Sequence, residues 1–129
     1  MRVLTDTHVL IWALIEPHRM PVTHDLVLKD RSNDFFFSAV NIWEIAIKQA
    51  LGRLDFDLDP IMVLAAARQT GFAELPVRSA AAARVATMPH HHRDPFDRLL
   101  VAQAIEEDAH LLSVDPILAL YGDHVLVLS

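Results

Sequence analysis

Asp6, Glu44, Asp97 and Asp115 each stand where a short apolar run ends or where a helix is set to open. In an open α/β sheet such junctions converge on one crevice at the carboxyl edge of the strands. Carboxylates crowded there repel one another and shift one another's pKa unless a cation intervenes. Mg²⁺ or Mn²⁺ suits an all-oxygen donor set. The combination points to metal-dependent phosphodiester chemistry.

Each acid also has a purely structural reading. Asp6, closing Leu4-Thr5-Asp6, is a metal ligand or the N-cap of the next helix. Glu44 precedes Lys48 by four residues, the spacing of a surface ion pair that contributes only about 0.3–0.5 kcal/mol. It also follows Asn41 by three, as in a capping box. The apolar residues around Glu44 argue that its helix is largely buried and that the acid faces the crevice. Asp94 before Pro95 is a strong N-cap signal, so Asp94 reads as structural. Asp97 falls in the first turn of that helix, where the dipole favours its ionised form. Its alternative role is to return a bond to the Asp94 backbone. Asp115, followed by Pro116, either caps a turn or completes the cluster, holding a metal directly or through water.

The neighbouring polar residues are less specific. Consecutive His90, His91 and His92 cannot all face one ion, and a second ligand set is missing, so a solvated loop or a substrate contact is the favoured reading. Arg93 and Arg98 are placed to pair with substrate phosphate or to balance nearby carboxylates. Thr7 and Ser38 either hydrogen-bond a metal-bound water or cap helices. A phosphatase with Asp6 as covalent nucleophile would need a second acid at position 8, where His8 stands.

The elements that must position these residues alternate between strand and helix. Strands are expected at Arg2–Asp6, Phe35–Ser38, Phe72–Val77, His110–Val114 and Val125–Leu128. Helices are expected at His8–Ile15, Val22–Ser32, Ala39–Leu51 with Gly52 as stop, Pro60 to near Gly71, Ser79–Thr87 capped by Ser79, and Pro95 to about Asp108. Arg53–Asp59 reads as a polar loop, and Pro116–Leu120 as a helical turn. The alternation predicts an α/β fold: one domain over residues 1–129, with a central parallel sheet of four to five strands flanked by helices on both faces.

Composition narrows the function classes. A chain of 129 residues is long enough to bury its own core. Its apolar runs fall short of the roughly 18–20 residues of a membrane span, and the stretch before Asp6 is too short for a signal peptide. With 0 cysteines there are no disulfides, thiolate metal sites or cysteine nucleophiles. A cytoplasmic protein is expected. The 17 acidic and 11 basic residues give a net charge of −6, unlike a general nucleic-acid coat protein. Nucleic-acid binding would therefore depend on a local patch, a metal or a second subunit, and a basic partner would suit the acidic surface.

Four stretches, in order and spanning nearly the whole chain, carry a family resemblance. They are Leu4-Thr5-Asp6-Thr7-His8 with Trp12, then Ser38 to Ala46, then His91 to Ala104, and finally Leu112-Ser113-Val114-Asp115. The third is the most specific. With them the chain resembles PIN-domain ribonucleases, in particular the VapC toxins of bacterial toxin–antitoxin pairs. The resemblance implies a central first strand and an Mg²⁺-dependent (or Mn²⁺-dependent) endoribonuclease. Asp6, Glu44 and Asp97 would be the core triad and Asp115 the fourth acid. A metal-activated water would hydrolyse RNA, without a side-chain nucleophile. It further implies a cognate antitoxin and a homodimer or toxin–antitoxin hetero-oligomer, for which the apolar residues around Trp12 and Trp43 are suited. Asn41 departs from the pattern, which more often has Ser there. The alternative is a non-catalytic PIN-like protein-binding module.

Overall fold

A computed structural model of the chain describes residues 1–128, apart from the side chain of Leu54. Ser129, the last residue of the expected domain, lies outside the described residues. Five strands form one parallel sheet: β1 (Arg2–Thr5), β2 (Asp34–Ser38), β3 (Ala73–Leu75), β4 (His110–Leu112) and β5 (Val125–Leu126). Their spatial order is β3-β2-β1-β4-β5, so β1 is central, as the resemblance implied. Leu4 stands in register with Phe36 on one side and Leu111 on the other. The chain reverses its direction of travel across the sheet at β1, which makes the carboxyl end of that strand a topological switch point.

Among the described residues six α-helices lie between the strands: α1 (Thr7–Leu14), α2 (Val22–Lys29), α3 (Ala39–Ala50), α4 (Pro60–Thr70), α5 (Ser79–Arg84) and α6 (Pro95–Glu106). Alternate residues along the strands serve opposite layers, as a period of two requires. Leu4, Leu111 and Val125 pack with Ala81 of α5 and with Leu100, Val101 and Ala104 of α6. Val3 and Leu112 pack on the other face with Val9 and the partly buried Val27 and Leu28 of α2, while Phe37 meets Leu10 and Ala67. Each fully buried Leu contributes about 1.5–3 kcal/mol relative to an exposed one. Because both faces of the sheet are covered, its strands read as continuous apolar runs.

Several boundaries differ from expectation. α2 ends at Lys29 rather than Ser32, because the Asp30 carboxylate accepts from the Ser32 amide and hydroxyl and turns the chain there. Arg78, not Ser79, occupies the N-cap of α5 and supplies no side-chain bond. The expected helix through Thr87 tightens to a 3-10 turn at Val85–Thr87. The polar segment 53–59 contains a 3-10 turn whose Phe56 is fully buried against Ile45, Ile11 and Val63. The glycine stops hold: Gly71 closes α4 at φ 99° and Gly52 follows α3 at φ 76°, both left-handed conformations open to glycine without strain.

Candidate active site

Asp6 is the first acid that the sheet delivers to the crevice. It follows β1 and caps α1, its Oδ1 accepting from the Val9 amide at 2.8 Å. Its Oδ2 accepts from the Ser113 hydroxyl, which also accepts from the Asp115 amide at 3.1 Å. One serine just beyond β4 thus links two of the expected site acids, a role not read from the sequence. Buried His24 of α2 supports it from behind, Nε2 lying 2.6 Å from the Ser113 carbonyl oxygen. Asp6 is itself almost fully buried, and that burial pushes its pKa up against the lowering effect of its Ser113 and Val9 bonds.

Glu44 arrives on α3. Ser38 caps that helix, accepting from the Val40 amide, and Asn41 returns a bond from the third helical position to the Ser38 amide at 2.7 Å. The capping box therefore pairs Asn41 with Ser38, not with Glu44. The Asn41 amide group also donates to the Thr5 carbonyl oxygen and to the Thr7 hydroxyl. With its oxygen taken by Asn41, the Thr7 hydroxyl directs its hydrogen to Glu44 Oε1. The chain of donors from α3 through Thr7 back to α3 fixes the carboxylate of Glu44. Thr7 and Ser38 thus contact protein groups, one orienting an acid and the other capping a helix.

The other Glu44 oxygen binds Lys48, as the spacing of four predicted, but this is no surface pair. The side chains are only 3% and 13% exposed, and Lys48 Nζ also reaches Asp94 Oδ2 at 3.2 Å. Nζ lies 4.8 Å from the centre of the Phe56 ring. Burial of Lys48 acts to lower its pKa, but the Glu44 and Asp94 carboxylates outweigh it and raise the value. Lys48 is thus a built-in cation on one wall of the acidic crevice, which sequence spacing alone presented as exposed.

Asp97 and Asp115 meet around a residue that sequence reasoning set aside. Asp94 caps α6 through the Phe96 and Asp97 amides. The Asp94 amide donates to His92 Nδ1 at 3.0 Å, so Asp97 does not return a bond there. His92 Nε2 lies 2.8 Å from Asp115 Oδ2 and 3.6 Å from Asp97 Oδ2. Asp115 caps the following turn, Oδ1 accepting from the Ile117 amide, while its Oδ2 lies against His92. Among the described residues, His92, Asp97 and Asp115 offer ligand atoms all within 4.8 Å of one another. Asp6 and Glu44 are not part of that tight group and face Asp97 from the neighbouring walls. His92 was discounted because consecutive histidines cannot share an ion; His91 instead packs edge-on against Tyr121, leaving His92 alone to turn inward.

Electrostatics makes Asp97 the hub. Burial, with the carboxylates of Asp94, Glu44 and Asp6 adding, pushes its pKa up to about 8, only partly offset by Lys48. Arg98 turns inward: it is 6% exposed and donates to the Val85 and Pro89 carbonyl oxygens and to the Tyr121 hydroxyl. Arg93 is exposed. Asp6, Glu44, Asp97 and Asp115 present oxygen donors from four separate parts of the chain, a set whose chemistry fits a hard divalent cation.

A family model described as the PIN domain matches residues 3–123. The chain belongs to the PIN-domain family. Among solved structures, this PIN domain is similar to VapBC2 from Rickettsia felis bound to a DNA fragment from their promoter. The TM-score is 0.68 and the identity 13%, over 98% of this chain and 97% of that one. At that identity the likeness is one of fold. No curated protein matches the PIN chain in sequence. Among the described residues no helix is long and apolar enough to cross a membrane.

Proposed function

We propose that this PIN-domain protein is a divalent-metal-dependent endoribonuclease and the toxin of a VapC-type toxin–antitoxin pair, acting in the cytoplasm. The observation that carries the reading is Asp97, buried among Asp6, Glu44 and Asp94 and pushed up to about 8 in the absence of a cation. Strong like-charge and burial shifts concentrated in one cleft mark a functional site. Family membership and the fold shared with VapBC2 support that reading. An antitoxin and a dimeric or hetero-oligomeric assembly are the expected partners.

Asp6, Glu44, Asp97 and Asp115 would hold Mg²⁺ or Mn²⁺. When bound, such an ion supplies an activated water and neutralises charge that develops on the scissile phosphate. The protein's own part is positional. Ser113 orients Asp6, and Thr7 with Asn41 orients Glu44. The Asp94 cap sets the first turn of α6, from which Asp97 projects. Arg93, exposed one residue after His92, is placed to meet an RNA phosphate.

The test is cleavage of labelled RNA by purified protein with Mg²⁺, with Mn²⁺ and with EDTA, beside Asp97→Asn. Discrete metal-dependent fragments are expected, with activity falling by more than about 100-fold in the variant, since residues that merely support ligands already cost 10–100-fold. Absence of cleavage by folded wild-type protein free of any co-purified partner would replace this reading with that of a non-catalytic binding module.

A further inference from the structure

We propose that His92 is a positioning residue of this site: its ring donates from Nε2 to Asp115 and holds that carboxylate beside Asp97, and it does not itself ligate the ion. The inference rests on reading the crevice as the metal site of a nuclease. Its starting point is a donor whose role is not adjustable. The Asp94 backbone amide always carries its hydrogen, and it points at His92 Nδ1 from 3.0 Å. Nδ1 must therefore present its lone pair, which leaves the ring proton on Nε2. An Nε2 that carries a proton can donate to Asp115 Oδ2 at 2.8 Å, but it has no lone pair for a metal. The grouping of His92, Asp97 and Asp115 thus resolves into two carboxylates and the hydrogen-bond donor that spaces them.

The rest of the loop is built to hold that ring in place. The His92 amide donates to the Tyr121 hydroxyl at 3.1 Å, and the same oxygen accepts from Arg98 Nη1 at 3.0 Å. Arg98, buried in α6, also donates to the Val85, Met88 and Pro89 carbonyl oxygens. The 88–93 loop is thereby strapped to the helix that carries Asp97. One rigid unit then sets the separation of two acids that come from distant parts of the chain. Oriented outer contacts of this kind govern how well first ligands bind an ion.

Three measurements on the full chain test the proposal. Ring ¹⁵N NMR of the metal-free protein should show His92 as the Nε2–H tautomer; an Nδ1–H tautomer overturns the inference whatever the protein's activity. Mn²⁺ titration should show affinity reduced about 10–100-fold in His92→Ala, and restored most of the way in His92→Gln, whose amide N–H reaches the position of Nε2–H. Pulsed EPR of the Mn²⁺ complex should show no directly coordinated ¹⁴N. Undiminished Mn²⁺ affinity in His92→Ala, or a coordinated nitrogen, overturns the positioning role. If His92→Ala does not fold, the tautomer, His92→Gln and the EPR signal of the wild type still decide. Wild type that binds Mn²⁺ with the expected His92 dependence yet cleaves no RNA would sink the nuclease reading and leave the positioning role standing. Wild type that binds no Mn²⁺ overturns both.

Discussion

At the scale of single residues, Asp97 couples the site to pH. Its folded pKa of about 8 stands above the ordinary 3.8, so the metal-free native state holds a proton that the unfolded chain has released. Between those values stability falls as pH rises, because the unfolded state binds fewer protons than the native one. The contribution of Asp97 is fully present below about pH 4 and is lost as pH climbs through 8. Asp97→Asn, neutral throughout, should therefore stabilise the metal-free protein at pH 8 relative to wild type, by a Tm increase on the order of 5 °C. The gain should shrink toward pH 5. Thermal melts in EDTA across pH 5–8.5 measure this, and a Tm difference that does not change with pH would contradict the burial and charge described for Asp97.

At the scale of elements, the junction between β2 and α3 is held by one buried amide. Asn41 accepts from the Ser38 amide and donates to the Thr5 carbonyl oxygen and the Thr7 hydroxyl. Leucine has the same shape without the polar atoms, and a buried polar group left unpaired costs about 1–3 kcal/mol. Asn41→Leu should thus lower stability by about 2–4 kcal/mol, read as a lower urea midpoint at unchanged m-value. It should also reduce cleavage by freeing Thr7 to turn away from Glu44. The same junctions explain what was legible beforehand. Alternating apolar runs, Asp94-Pro95, and the glycines after α3 and α4 carry local signals, so element order, sheet type and most caps could be read from the residues. The bond of Lys48 to Asp94 and the roles of His92, Ser113 and His24 could not: each acts through a partner 23 to 107 residues away that only the fold brings near. Spacing alone made Lys48 a surface cation, because the burial of α3 against Phe56 is a tertiary fact.

At the scale of the whole molecule, a chain of net charge −6 gathers five carboxylates, those of Asp6, Glu44, Asp94, Asp97 and Asp115, around one crevice. Lys48 is its internal counter-charge, and it occupies an oxygen of Glu44 that a metal would also use. A cation that binds the folded state alone stabilises it by about 2.7 kcal/mol when present at a hundred times its Kd. For a chain of this length that corresponds to a Tm increase of roughly 10 °C. The increase should be larger at pH 8 than at pH 6, because binding expels the Asp97 proton and affinity rises with pH. Lys48→Met removes one partner of a buried pair, which costs about 3–5 kcal/mol, so its metal-free Tm should drop well below that of wild type. Its Mg²⁺-induced increase should then exceed the wild-type one, since the ion replaces the lost charge without displacing an amine from Glu44. Melts of both proteins with Mg²⁺ and with EDTA decide it. Equal Mg²⁺ shifts in the two proteins would mean that Lys48 and the ion do not share Glu44, and that the lysine serves the folded chain alone.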